Sequence, residues 1–222
     1  TTTAMSAPIT IRLPSKYQPS QPSPQPSTPS NPPPPLPFLH RNWTVTHSTL
    51  RMWRSARNVR ITYGALPPSN NNTHPPKERL SDVVEYEPLS GSGRLKRISG
   101  VDTASSSSSS SSGFDTSAWD WRGSGLLFFV GSHWEVLGWG ERAVAGGEPG
   151  EVERWVVTWF APTVFTAEGL DVYSDRRGGG SEGLMADVLA ELRRVTMGEG
   201  KIGELVETEM REVAIQLPWK EV

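Results

Sequence analysis

Cysteine is absent from this chain of 222 residues, which excludes disulfides, thiolate zinc sites and a cysteine nucleophile, and favours a reducing compartment. Histidine is scarce. His40, His47, His74 and His133 are scattered without ligand spacing, so no metal site is expected. Long apolar runs are missing too: the longest, Leu126 to Val130, falls far short of the roughly 18 residues of a membrane-spanning helix. With no apolar leader-type segment either, a cytoplasmic protein without a membrane span is the expectation, and organelle import is the alternative, since Arg12 and Lys16 stand in an acid-free first stretch. HExxH and GxxxxGK are absent as well, which removes the local geometries that hold zinc and cradle phosphate, and the one GxSxG string, Gly179 to Gly183, places its serine at the start of a helical pattern where Ser181 is read as a cap. No cofactor is expected, and nucleic acid is not an expected partner because no RNA-binding motif appears.

Acid is lacking from the first 77 residues. Eight Lys or Arg precede Glu78, the first acidic residue, so this part carries +8 and the remainder −10. Such polarity either meets an anionic partner or is neutralised when the two parts fold together.

Proline dominates the beginning, with twelve of the twenty in residues 1 to 37, mixed with Ser, Gln and Thr. Composition assigns this stretch to a disordered tail. From Phe38, short runs of Val, Ile, Thr, Tyr, Phe and Trp alternate with turn residues, the texture of an all-β barrel or sandwich. Strands are expected at 43–49, 58–63, 81–87, 94–102, 114–122, 126–131, 134–140, 152–160 and 169–174. Loop insertions interrupt them at 67–76 and 103–113, the latter holding a serine run. The period then changes to that of a helix: Leu184, Met185, Val188, Leu189, Leu192 and Val195 form one stripe, Ser181 can cap it, and Arg193 and Arg194 suit its negative end. The barrel and this helix span 38–197. In the last segment, 198–222, a second helical pattern runs over 201–213 after Gly198, Gly200 and Gly203.

This meander, opened by a tryptophan on its first strand and closed by a helix, resembles the lipocalin and calycin architecture. In particular it is similar to small fungal lipocalin-like proteins through VTHSTLRMW, WRGSG, WEVLGWG and GLDVYS. Arg41 stands where the family's opening motif has glycine. The resemblance covers 38–197 and implies an antiparallel up-and-down barrel of eight or nine strands with the helix packed outside. It also implies that Trp43 plugs the closed end under Arg176 or Arg177.

Nine tryptophans are many for a domain of this size, and large flat side chains suit the wall of an apolar cavity. Trp53, Trp134, Trp155 and Trp159 are the wall candidates, with Tyr63 and Tyr86 as polar contacts. The bland reading of any one of them is packing beneath the helices. Arg51, Arg54, Arg57 and Arg60 recur every third residue, so a helical turn would gather guanidinium groups into an anion clamp, with Arg54 and Arg57 central. For proton transfer the candidates are His47 and His133, with Glu135 on the same strand face as His133. The leading expectation is binding of a small hydrophobic or aromatic molecule, with an anionic group as an option. A lipocalin-fold isomerase, cyclase or decarboxylase, and a protein-interaction module without ligand, are the alternatives.

Overall fold

The computed structural model describes residues 8–18, 32–69, 76–105 and 116–221. Eight antiparallel strands pair in chain order: β1 (Asn42–Ser48), β2 (Ala56–Leu66), β3 (Arg79–Pro88), β4 (Lys96–Ala104), β5 (Ala118–Gly123), β6 (Gly131–Ala143), β7 (Val152–Phe160) and β8 (Gly169–Ser174). β1 pairs with both β8 and β2, which closes a lipocalin-like up-and-down barrel. Closure removes the open edges that an eight-stranded sheet would otherwise present. Helix α1 (Leu36–Leu39) precedes the barrel, α2 (Glu182–Thr196) and α3 (Lys201–Glu209) follow it, and β9 (Arg211–Glu212) returns to pair with β1. None of the helices described is long and apolar enough to cross a membrane.

Strand alternation divides the apolar residues into two cores. The inner one contains Trp43, Val45, Val59, Ile61, Leu80, Trp119, Trp134 and Val156. The outer one packs Leu137, Trp155, Val157, Trp159, Leu170 and Val172 against Leu184, Val188 and Leu192 of α2 and Ile202 and Val206 of α3. β8 is therefore buried along its whole length, one face inside and the other under the helices. Ser181 caps α2 by accepting the Leu184 N–H at 3.3 Å.

The first segment departs from the composition-based reading. Residues 8–18 lie outside β6 and β7: the Arg12 N–H donates to the Leu137 carbonyl at 2.9 Å, and Ile11 is buried in the outer core. Ile9, Ile11 and Leu13 alternate like a strand within a proline-rich stretch, and Gly138 allows the approach, since a Cβ there would lie 2.7 Å from the Thr10 carbonyl oxygen. The expected tail at 1–7 and 19–31, and the insertions at 70–75 and 106–115, fall outside the described residues.

The strand expected at 126–131 is instead a loop with a 3-10 turn, Gly125–Leu127, entered by Gly125 at φ +60°. Its apolarity imitated a buried strand, but Leu126, Phe128 and Phe129 face outward and only Val130 is buried. The last segment also does more than continue a helix. β1 pairs with β2 over Asn42–Thr44 and with β9 over His47–Ser48. The C-terminal chain is thus wedged where β1 and β2 diverge, and Asn58, at φ +52°, donates its N–H to the Ala214 carbonyl at 2.8 Å. Trp219 then lies between the guanidinium groups of Arg60 and Arg177, at 4.9 and 4.8 Å.

Candidate functional site

The connections of an up-and-down barrel alternate between its ends. The β2–β3, β4–β5 and β6–β7 connections share one end, and this end is plugged. Trp43 is fully buried there, donates its indole N–H to the Leu39 carbonyl at 3.1 Å and touches Phe38. Its cation–π cover is Arg41, 5.4 Å from the ring. Arg176, expected in that position, instead pairs with Glu151 at 2.9 Å, because the chain turns outward after β8 towards α2.

The opposite end carries the connections β1–β2, β3–β4, β5–β6 and β7–β8. A 3-10 turn, Arg51–Ser55, brings Trp53 down into the inner core, where its ring meets Tyr86 edge-on at 5.1 Å. Arg51 and Arg54 both hold Glu209 at the end of α3, the latter at 2.6 Å, which latches this turn to the helix. Around this mouth Leu126, Phe128, Phe129, Val164 and Phe165 stand exposed on two loops. Phe129 makes edge contacts with Phe128 at 5.8 Å and Phe165 at 6.4 Å.

Between plug and mouth the interior is aromatic and acidic. Tyr63 stacks on Trp134 (5.5 Å, 13°), and Trp134 on Trp119 (6.0 Å, 17°). Three carboxyls face inward beside them. Asp82 is the cross-strand neighbour of Tyr63, Asp102 accepts the Trp134 indole N–H at 2.7 Å, and Asp171 accepts from the Ser48 hydroxyl. Burial raises Asp82 and Asp171 to about 7, and raises Asp102 well above the carboxylate range with the Asp82 charge adding to it. Asp82 Oδ1, Asp102 Oδ2 and Trp53 Nε1 are buried without a hydrogen-bond partner. Tyr63 and Tyr173 share a hydrogen bond, and Tyr173 also accepts from Thr158 at 3.1 Å; burial pushes both phenols up.

The sequence candidates are distributed differently. Tyr63, Trp134, Trp53 and the partly buried Tyr86 meet in the inner core. Trp155 and Trp159 face outward, packed under α2 and α3, because β7 turns Val156, Thr158 and Phe160 inward. The four arginines form no clamp: the turn ends at Ser55 and the strand that follows points Arg57 and Arg60 outward to Glu87 (3.0 Å) and Glu85 (3.1 Å). His47 lies outside the barrel in a groove of about 350 Å³ lined by Gly179, Met185 and Ile215, and burial lowers its pKa. His133 is also outside, with Nδ1 2.9 Å from Asp120 and Nε2 3.7 Å from Glu135. Glu135 is buried against that face; burial opposes its ionisation, yet His133, Arg12 and the Ser15 N–H together hold it down at about 2. This pair anchors residues 8–18 and has no access to the interior.

Asp82, Asp102 and Asp171 were not singled out by sequence reasoning. Their signal was an acid on an otherwise apolar strand face, as in Leu80, Asp82, Val84 and in Gly169, Asp171, Tyr173. Alternation yields two faces without saying which is inside.

Fold and site together define a closed lipocalin-like barrel with an aromatic, acidic interior. No family model matches the chain, and no curated protein matches it. Among solved structures it is similar to apocrustacyanin C1 (TM-score 0.48, 8% identity, 81% of this chain and 78% of that one) and lobster apocrustacyanin A1 (0.46, 8%, 82% and 79%). It is also similar to the siderocalin Ex-FABP (0.43, 9%, 82% and 96%). The functional reading rests on the chain's own residues.

Proposed function

We propose that the barrel takes up one small apolar or aromatic molecule between the Trp43 plug and the Trp53 mouth. The observation that carries this reading is the pair of buried carboxyl oxygens, on Asp82 and Asp102, left without partners inside an aromatic wall. A barrel that served only as a packed support would lose about 1–3 kcal/mol for each such group with nothing to offset it. Apolar side chains at the same positions would be the stable solution. The interior of an eight-stranded barrel is either filled by its own side chains or holds one small ligand; the unpartnered carboxyls favour the second, and the exposed aromatic loops at the mouth offer such a molecule its first apolar contact. Trp53 is the gate: it sits on a short turn held by two exposed ion pairs and is free of a hydrogen bond at its indole nitrogen.

Intrinsic tryptophan fluorescence tests this directly, because Trp53, Trp119 and Trp134 surround the site. A panel of aromatic and aliphatic probes is expected to give saturable quenching by some members and a rise in melting temperature of several degrees at 100 times Kd, where binding adds about 2.7 kcal/mol. Absence of both effects across the panel would overturn the reading.

A further inference from the structure

We infer that the molecule taken into the barrel is a small aromatic amine, its protonated nitrogen held by Asp82 and Asp102 and its ring placed against the Tyr63–Trp134–Trp119 stack. This rests on the reading of the interior as the binding site and names the ligand's chemistry.

The polar atoms without partners decide between ligand classes. Inside the barrel these are Trp53 Nε1, a donor at the mouth, and two carboxyl oxygens side by side, which once ionised accept N–H donors that the surrounding side chains do not supply. An ammonium group brings three N–H donors and no acceptor. A carboxylate or phosphate would face three carboxyls with no balancing cation among the described residues, because Arg54, Arg57 and Arg60 are turned outward to Glu209, Glu87 and Glu85. A hydrocarbon would bury its surface against the rings but leave both carboxyl oxygens unsatisfied. Stacked Trp and Tyr faces add cation–π attraction that only a cation uses.

The groups facing the two carboxyls agree with this assignment. Tyr63 comes from β2, Tyr173 and Asp171 from β8, and Asp120 acts on Asp102 from β5. None of them is a base that would supply a positive charge in the ligand's place. Burial keeps Asp82 and Asp102 protonated to unusually high pH. An ammonium arriving beside them favours their charged forms, so binding is coupled to proton release.

The experiment is isothermal titration of the full chain at pH 7 with 2-phenylethylamine, propylbenzene and 3-phenylpropionate, and with the naphthyl counterparts of all three. Two buffers of different ionisation heat report the protons exchanged. The amine is expected to bind at least tenfold more tightly than the matched hydrocarbon and a hundredfold more tightly than the acid, with net proton release. Asp102→Asn is expected to weaken the amine at least tenfold and leave the hydrocarbon within about twofold; Asp82→Asn gives an independent second reading if the first variant does not fold. Equal or tighter binding of hydrocarbon or acid overturns the inference, as does unchanged amine preference in both variants, while the container reading stands. Failure of every trio member overturns it too, and the container reading falls with it only if the broad probe panel is also silent.

Discussion

Inside the barrel Asp82 and Asp171 hold their protons up to about pH 7, whereas an aspartate of the unfolded chain ionises near 3.9. Between those values the unfolded state loses its proton first, so the folded state is disfavoured as pH rises through this window, by about 1.4 kcal/mol per unit for each group, and the contribution is fully present below pH 4. Glu135 has the opposite sign. Held at about 2, it stabilises the fold above the ordinary glutamate range and loses that effect as pH falls from about 4.5 towards 2. Thermal midpoints of the ligand-free protein are therefore expected to peak near pH 4.5 and to decline towards pH 7.5. Asp82→Asn and Asp171→Asn should each flatten the decline, and an unaltered slope in both would refute the assignment. At the plug, Trp43→Ala removes a fully buried indole with its hydrogen bond to Leu39 and its contact with Arg41. Denaturant unfolding should show a loss of about 3–5 kcal/mol.

Among the elements, the 3-10 turn Arg51–Ser55, the gate in the proposed function, is expected to contribute little to stability. Its ties to Glu209 are exposed ion pairs, each typically within about 1 kcal/mol. Glu209→Ala should consequently change the melting temperature by no more than a degree or two. The same variant should raise both the acrylamide quenching of Trp53 and the association rate of any ligand, which stopped-flow fluorescence measures. The C-terminal wedge is the converse case. Glu87 is fully buried and its partners Arg57, Asn58 and the Lys220 N–H gather around it only when residues 211–220 are in place. Truncation after Glu209 removes Val213 from the inner core and Trp219 from between its two arginines, leaving β1 and β2 splayed at one end. Such a chain should lose several kcal/mol and become sensitive to limited proteolysis within β2, unlike the full chain.

Across the whole molecule, the charge asymmetry is spent internally. Arg12 meets Glu135, Lys16 meets Glu168, Arg41 meets Asp175, and Arg51 to Arg60 meet Glu209, Glu87 and Glu85. The basic first part and acidic remainder thus neutralise each other, and residues 8–18 are tied to the barrel by the same pairing. Deleting residues 1–18 should cost about 2–4 kcal/mol in thermal or denaturant unfolding, on the scale of one buried aliphatic chain with its hydrogen bonds. Most strands were legible in the sequence because period-2 alternation and the turn residues between runs are local signals, while their closure into a barrel rather than a sandwich came from the family resemblance; α2 was legible too, from its apolar stripe and the serine directly before it. The site was legible in part: Tyr63, Tyr86, Trp53 and Trp134 carried the aromatic signal, but Trp155 and Trp159 carried the same signal and face α2 and α3. What the sequence determined by itself was which residues share a strand face, since that follows from backbone geometry over a few residues. Which face is inside was decided by tertiary structure, through the bulges in β1, β2 and β6 and the placement of the two helices. That choice turned Asp82, Asp102 and Asp171 into the interior and both histidine candidates out of it, because barrel closure and helix docking depend on contacts between residues far apart in the chain.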